Sequence, residues 1–295
     1  MSKGKRTTQA QDYPSCDLLL SLRRVNTAYD GIWVTVRRGS ADAETTNIFM
    51  NKTMGFIDDN SLCDGSLSSP GSQTIATWKA HTGASTLYVR KWWDVSGKGN
   101  YFDQVNPAFQ PSFFLNGAGN KARIGSDGVN DFLNIFSNRD MTIGDTIMFV
   151  YERVFAADDG DGLFYSNTLV ANSYALSYSA SELLTFSARD STNTERVNNI
   201  ESVSNTNLNL VSVIMDNANT VKAYLNGTEK FNVDFNATYG TNFFNPYLGS
   251  EIASNRNIAF FGGYIDEVIH FNKPLTDSER QPIENNCINF HGITL

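Results

Sequence analysis

Residues Arg90 to Gln104 read RKWWDVSGKGNYFDQ, which sets two tryptophans directly before an Asp-x-Ser-Gly-x-Gly turn and a tyrosine just after it. An exposed aromatic face stacks on the C–H surface of a sugar at low entropic cost. Trp92, Trp93 and Tyr101 are therefore the candidate carbohydrate contacts. Successive residues of a strand point to opposite faces, so at most one of the two tryptophans serves as a platform while the other packs inward. Within the turn, Gly97 and Gly99 permit a tight backbone path, and Asp94 and Ser96 are placed to bond neighbouring amides. That is the chemistry of a scaffold.

Other side chains with chemical potential are scattered. The run ADDGDG offers Asp158, Asp159 and Asp161, hard oxygen ligands of the kind Ca²⁺ takes, but it is too short and irregular for an EF-hand loop and reads first as a solvated turn. In GSDGVNDF, Asp127 and Asp131 are expected to bond backbone rather than metal. His81, His270 and His291 are dispersed without a neighbouring Ser or Cys nucleophile, and they read as satisfied surface or edge histidines. No cofactor is expected. Cys16, Cys63 and Cys287 are an odd set without metal-ligand spacing, which argues against a disulfide framework and for a reducing compartment. The sequons at Asn51, Asn226 and Asn236 carry no weight in such a compartment.

The chain has 295 residues, is 41% hydrophobic and 12% aromatic, and so has ample material for a real core. Its net charge of −8 opposes broad contact with a phosphate backbone, so nucleic acid is not an expected partner. No apolar run approaches the roughly 20 residues a membrane span needs. Only MSKGKR at the start is basic; without an apolar stretch behind it the segment reads as a flexible arm over residues 1–12, not as a secretion signal.

The elements that must position these residues are mostly strands. SCDLLLSLRRVNTAYDG places Leu18, Leu22 and Val25 on one helical face with Ser15 or Asp17 as N-cap, which predicts a short N-terminal helix. GIWVTVRRGS then alternates Ile32, Val34 and Val36 against Trp33, Thr35 and Arg37, the pattern of a half-buried strand closed by a Gly-Ser turn. Asp58 to Gly83, rich in Ser, Gly and Asp, reads as a surface loop. From Thr142 onward come TIMFVYERVF, YALSYSA, LLTFSAR, LVSVIMD, VKAYLNG, KFNVDF and IAFFGGYIDEVIHF, at the short, regular spacing of a β-sandwich. Asn226-Gly227 is the strongest hairpin signal among them. Near the end, Thr276 and Glu279 form a capping box, and Pro282 is expected to limit the helical turn that follows. No repeat or composition shift marks a second core, so residues 13–295 read as one domain.

Two sets of segments carry a resemblance. GGYIDEVIHFNKPLTDSERQPIE resembles the closing strand and helical turn of concanavalin A-like, laminin-G-type jelly rolls. LLLSLRRVNTAYDGIWVTVRRGSADAETTNIF, WWDVSGKGNYFDQ and FLNGAGNKARIGSDGVNDFLN resemble the catalytic jelly roll of the arabinofuranosidase B family, over most of residues 16 to 290. The resemblance implies an all-β, concanavalin A-like jelly-roll sandwich with a short N-terminal helix and a C-terminal helical turn.

Retention in glycoside hydrolysis requires two carboxyl groups, one as nucleophile and one as acid. In the family that the chain resembles, these are a Glu in a Met-Glu-Asn-type run and an Asp in a Gly-Gly-Asp-Asn-Ser-Asn-type loop. The corresponding strand here is ELLTFSARDSTN, with only Asp190 near its end, and the corresponding loop is GSEIASNRNIAFF, with Asn255 where the acid belongs and Glu251 upstream. The family's disulfide-forming cysteines, its vicinal cysteine pair and its C-terminal sugar-binding domain are not matched either. The resemblance thus implies the fold without the catalytic pair, and no catalytic residue is assigned. The leading expectation is a structural or adhesive virion protein of a tailed bacteriophage, made in the host cytoplasm and placed on tail, fibre or capsid. Its partners would be other virion proteins, further copies of itself and a host-surface glycan. The alternatives are a glycoside hydrolase of arabinofuranosidase type, recruiting Asp190, Glu251 or Glu267, and a free carbohydrate-binding module.

Overall fold

The computed structural model describes residues 13, 16–39, 44–64, 73–80, 86–115, 121–135, 144–154, 162–166, 174–179, 181–189, 192–202, 207–216, 220–235, 246–251 and 259–295. The arm over residues 1–12, the run Asp158, Asp159 and Asp161, and also His81, Asp190 and Asn255, lie outside them.

Every named strand pairing is antiparallel. One layer runs from Thr45–Phe49 through Ile32–Arg38, Leu87–Trp93, Tyr101–Asp103, Leu133–Ile135 and Pro246–Leu248 to Gly162–Ser166. It continues through Tyr174–Tyr178 and Leu183–Arg189 to Glu195–Ser202. The second layer is built around Gly262–Phe271, which pairs with Leu18–Ser21, Arg123–Asp127 and Thr146–Arg153. Beyond Thr146–Arg153 come Leu208–Met215, Thr220–Leu225 and Thr228–Asp234. Ser112–Phe114 bridges the layers, pairing with Arg123–Asp127 on one side and with Leu87 and Tyr88 on the other. One continuous core lies between the layers, with Trp92, Phe102, Phe149, Phe164, Phe186 and Val268 among its buried members. This is the expected all-β jelly-roll sandwich.

Four local expectations are corrected. Leu18–Ser21 is a strand rather than a helix: all four residues are buried, and they pair in register from Leu18 with His270 to Ser21 with Glu267. Asp17, read as a helix cap, instead accepts from the Asn272 backbone amide at 2.9 Å. A short apolar run fits a fully buried strand as well as a helix, and here the free edge of the closing strand decides it. Ile32–Arg38 forms as expected, but it is buried on both faces rather than one. Asp58 to Gly83 is more than a loop, since Leu62–Cys63 and Gln73–Thr74 pair and Ile75–Ala80 is a helix whose Ile75 and Trp78 are fully buried. The C-terminal helix does not stop near Pro282; it spans Asp277–His291. Proline removes one amide hydrogen early in the helix, and the buried face of Ile283, Cys287 and Ile288 outweighs that loss.

Other signals hold. The Glu279 carboxylate accepts from the Thr276 amide at 3.0 Å, as a capping box requires. Lys273 and Thr276 together bring the Glu279 carboxyl down to about 2. Asn226 and Gly227 take φ of 51° and 82° between the paired residues Leu225 and Thr228, a two-residue turn of the expected kind.

Candidate functional site

In the strand Leu87–Trp93 a register shift against Ile32–Arg38 skips Arg90, so Leu87, Val89 and Trp92 are the buried positions, and alternation resumes at Trp92 and Trp93. Trp92 pairs with Val34 on one side and with Phe102 on the other, and it is fully buried. Trp93 pairs with Tyr101 and points the opposite way, half-buried on the outer face. The ring centroids of Trp93 and Tyr101 are 5.0 Å apart with planes inclined at 47°. Of the three aromatic candidates, Trp93 and Tyr101 therefore stand together, and Trp92 belongs to the core.

The turn that joins these strands is held as expected. Asp94 is buried, and its Oδ1 accepts from the amides of Ser96 and Leu19, each at 2.9 Å, while Oδ2 accepts from Asn100 Nδ2 at 2.7 Å. Gly97 and Gly99 adopt φ of 90° and 76°, which a side chain would strain. One carboxylate thus fixes both ends of the turn and ties it to the Leu18–Ser21 strand.

The outer face is fixed by a chain of hydrogen bonds. Trp93 Nε1 donates to Thr35 Oγ1 at 2.9 Å, and Thr35 donates to Asn47 Oδ1 at 2.6 Å. Asn47 Nδ2 donates to Asp64 Oδ2 at 2.8 Å. The Lys91 ammonium lies over both rings, 4.1 Å from the Tyr101 centroid and 5.1 Å from that of Trp93. Asp103, directly across from Lys91 in register, is bonded instead by Arg90 at 3.2 Å. Further along the same layer, Phe132 lies 5.8 Å from Phe109 and 6.2 Å from both Tyr247 and Phe260, a second cluster of half-buried aromatics.

The remaining candidates are structural. Val129 and Asn130 donate their amides to Asp127 Oδ1, and the Asp127 amide bonds Asp131 Oδ2, so both carboxylates serve the turn as expected. Burial, with Asp127 nearby, pushes the Asp131 carboxyl up to about 7. The two histidines within the described residues are not surface groups. His270 is buried, with Nε2 2.8 Å from Asp145 Oδ2. His291 has its side chain buried, 3.2 Å from Glu267 Oε2.

Glu267, weighed above as a recruited catalytic carboxylate, is fully enclosed and neutralised. Arg23 Nε donates to its Oε2 at 3.0 Å. Burial alone would raise its carboxyl, but Arg23 and His291 bring it down to about 2. The same guanidinium bonds the Tyr13 hydroxyl and Asn286, and Cys287, a buried thiol pushed up to about 12 mainly by desolvation, completes the cluster. It clamps the C-terminal helix to the closing strand. Sequence reasoning missed it because its members are up to 274 positions apart. Of Glu251 only the backbone is described, in the short strand Ser250–Glu251. Among the described residues no group of three His, Cys, Asp or Glu side chains is placed to hold a metal ion.

Comparison with known proteins agrees with this architecture. Residues 148–279 match the model of the concanavalin A-like lectin/glucanases superfamily. A search of curated proteins gives no match. Among solved structures, an arabinofuranosidase complexed with arabinofuranosyl-alpha-1,2-xylobiose superposes with a TM-score of 0.61 at 15% identity, over 92% of this chain and 62% of that one. A mutant of HCR/D superposes with a TM-score of 0.53 at 12% identity, over 67% and 49%. The Ruminococcus gnavus IT-sialidase CBM40 bound to alpha2,3 sialyllactose gives 0.44 at 15% identity, over 55% and 96%. The chain thus spans less than two thirds of the arabinofuranosidase and HCR/D chains. By fold, the chain is a concanavalin A-like jelly roll that resembles a GH54 arabinofuranosidase along most of its own length.

Proposed function

We propose that this protein is a noncatalytic jelly roll that adheres to carbohydrate through the outer face around Trp93 and Tyr101, as a structural or adhesive component of a tailed-bacteriophage particle. The observation that carries the adhesive part is the fixed aromatic pair. Trp93 is held through Thr35 and Asn47 to Asp64, so its ring is already ordered before a ligand arrives. A preorganised ring loses little entropy when a sugar stacks on it. The arabinofuranosyl-xylobiose ligand of the arabinofuranosidase, whose fold this chain shares, is consistent with such a use of the scaffold.

The noncatalytic part rests on the family's two carboxylate positions being unmatched in sequence, and on Glu267 being locked to Arg23. The particle assignment rests on the sequence: a basic arm over residues 1–12 suited to an acidic neighbour, on a chain otherwise carrying net negative charge. Many copies in one assembly, with other virion proteins as neighbours, follow from that reading. Mass spectrometry of purified particles tests it. Recovery of this chain in stoichiometric amounts is the expected result, and its absence from particles while abundant in the lysate would overturn the assignment.

A further inference from the structure

Lys91 is the unusual group on the outer face. It is half-buried, and its ammonium is placed over the rings of Tyr101 and Trp93 at 4.1 and 5.1 Å. The carboxylate best placed to neutralise it is that of Asp103, its cross-strand partner, yet Asp103 is engaged by Arg90. Arg90 thus takes up the carboxylate opposite Lys91, and the contacts of the Lys91 ammonium are the two rings. A cation over aromatic faces has given up part of its water, and its remaining coordination is open to an anion.

We infer that the Trp93–Tyr101 face selects carbohydrates that carry a carboxylate, with Lys91 as the residue that reads the charge. This rests on the carbohydrate reading above and narrows it: the rings receive the apolar face of the sugar, and the ammonium receives the carboxylate of a uronic or sialic acid unit.

The test is calorimetric titration of the full chain with two matched pairs of probes, tetragalacturonate against its fully methyl-esterified form, and 3′-sialyllactose against lactose. The pairs separate a uronate from a sialic acid source. In at least one pair the charged member is expected to bind about tenfold or more tightly, since a charge-assisted contact is worth that much, with the gap shrinking in high salt. Lys91→Met, which keeps the stem over the rings, lowers affinity for the charged member and closes the gap, whereas Lys91→Arg retains it. Equal affinity within both pairs overturns the inference and leaves the aromatic platform standing. Binding of none of the four probes also overturns it; the platform itself falls only if oligosaccharide binding at large proves absent or indifferent to Trp93.

Discussion

Trp92 and Trp93 are consecutive in the chain, yet one is sealed between Val34 and Phe102 in the core and the other stands outside, 5.0 Å from Tyr101 and bonded to Thr35. Their replacement should therefore have different effects. Trp92→Ala is expected to cost about 3–5 kcal/mol of stability in urea unfolding, the range for a large side chain removed from a packed interior. Trp93→Ala should cost about 1 kcal/mol or less, mostly its hydrogen bond. Equal losses would show that both tryptophans are core residues.

Arg23 and Glu267 form the ion pair at the centre of the clamp between the C-terminal helix and the closing strand. Removing one partner strands a buried charge, so Arg23→Ala should destabilise by about 3–5 kcal/mol. Arg23→Met combined with Glu267→Gln should recover much of that loss, because the pair's own desolvation cost disappears with it. A double variant no better than Arg23→Ala would contradict this account of the cluster.

The pH dependence has two opposed parts. The Glu267 carboxyl is lowered from 4.5 to about 2, so the stability it supplies is present above 4.5 and is lost as pH falls through that window. The Asp131 carboxyl is raised from 3.8 to about 7, so its contribution is present below 3.8 and is lost as pH rises through 7. Asp131→Asn should accordingly raise the melting temperature by about 2 °C or more at pH 8 and far less at pH 4. A gain that is the same at both values would assign it to packing instead.

Much of this fold was legible in the sequence. LLTFSAR is the strand Leu183–Arg189 residue for residue, and the regularly spaced strand signals from Thr142 onward located its neighbours within a few positions. What escaped was decided by distant partners. Leu18–Ser21 carries a helical pattern and pairs with a strand some 250 positions away. Glu195–Ser202 is largely polar and exposed, so its sequence lacks the alternation by which a strand is recognised. At the candidate site, the opposed tryptophans could be read from strand periodicity. The position of Lys91 over two rings could not, because the Arg90–Asp103 contact that frees it depends on the cross-strand register.

The protein should not hydrolyse arabinofuranosides. General acid catalysis is worth about 10²–10⁴-fold, and losing either carboxylate of a pair removes most of the rate. A chromogenic arabinofuranoside assayed from about pH 4 to 7 should therefore show no turnover above background; the window spans the ordinary range of carboxyl groups. Turnover abolished by Asp190→Asn or Glu251→Gln would establish an enzyme.

The central claim is that the outer face at Trp93 and Tyr101 holds carbohydrate. Binding of the full chain to an oligosaccharide array, with Trp93→Ala and Tyr101→Ala alongside and near-ultraviolet circular dichroism confirming that each variant is folded, tests it most directly. The account predicts binding to at least one oligosaccharide, weakened about tenfold or more in Trp93→Ala, as for a central aromatic anchor. No binding to any oligosaccharide, or binding unchanged in both variants, would contradict it.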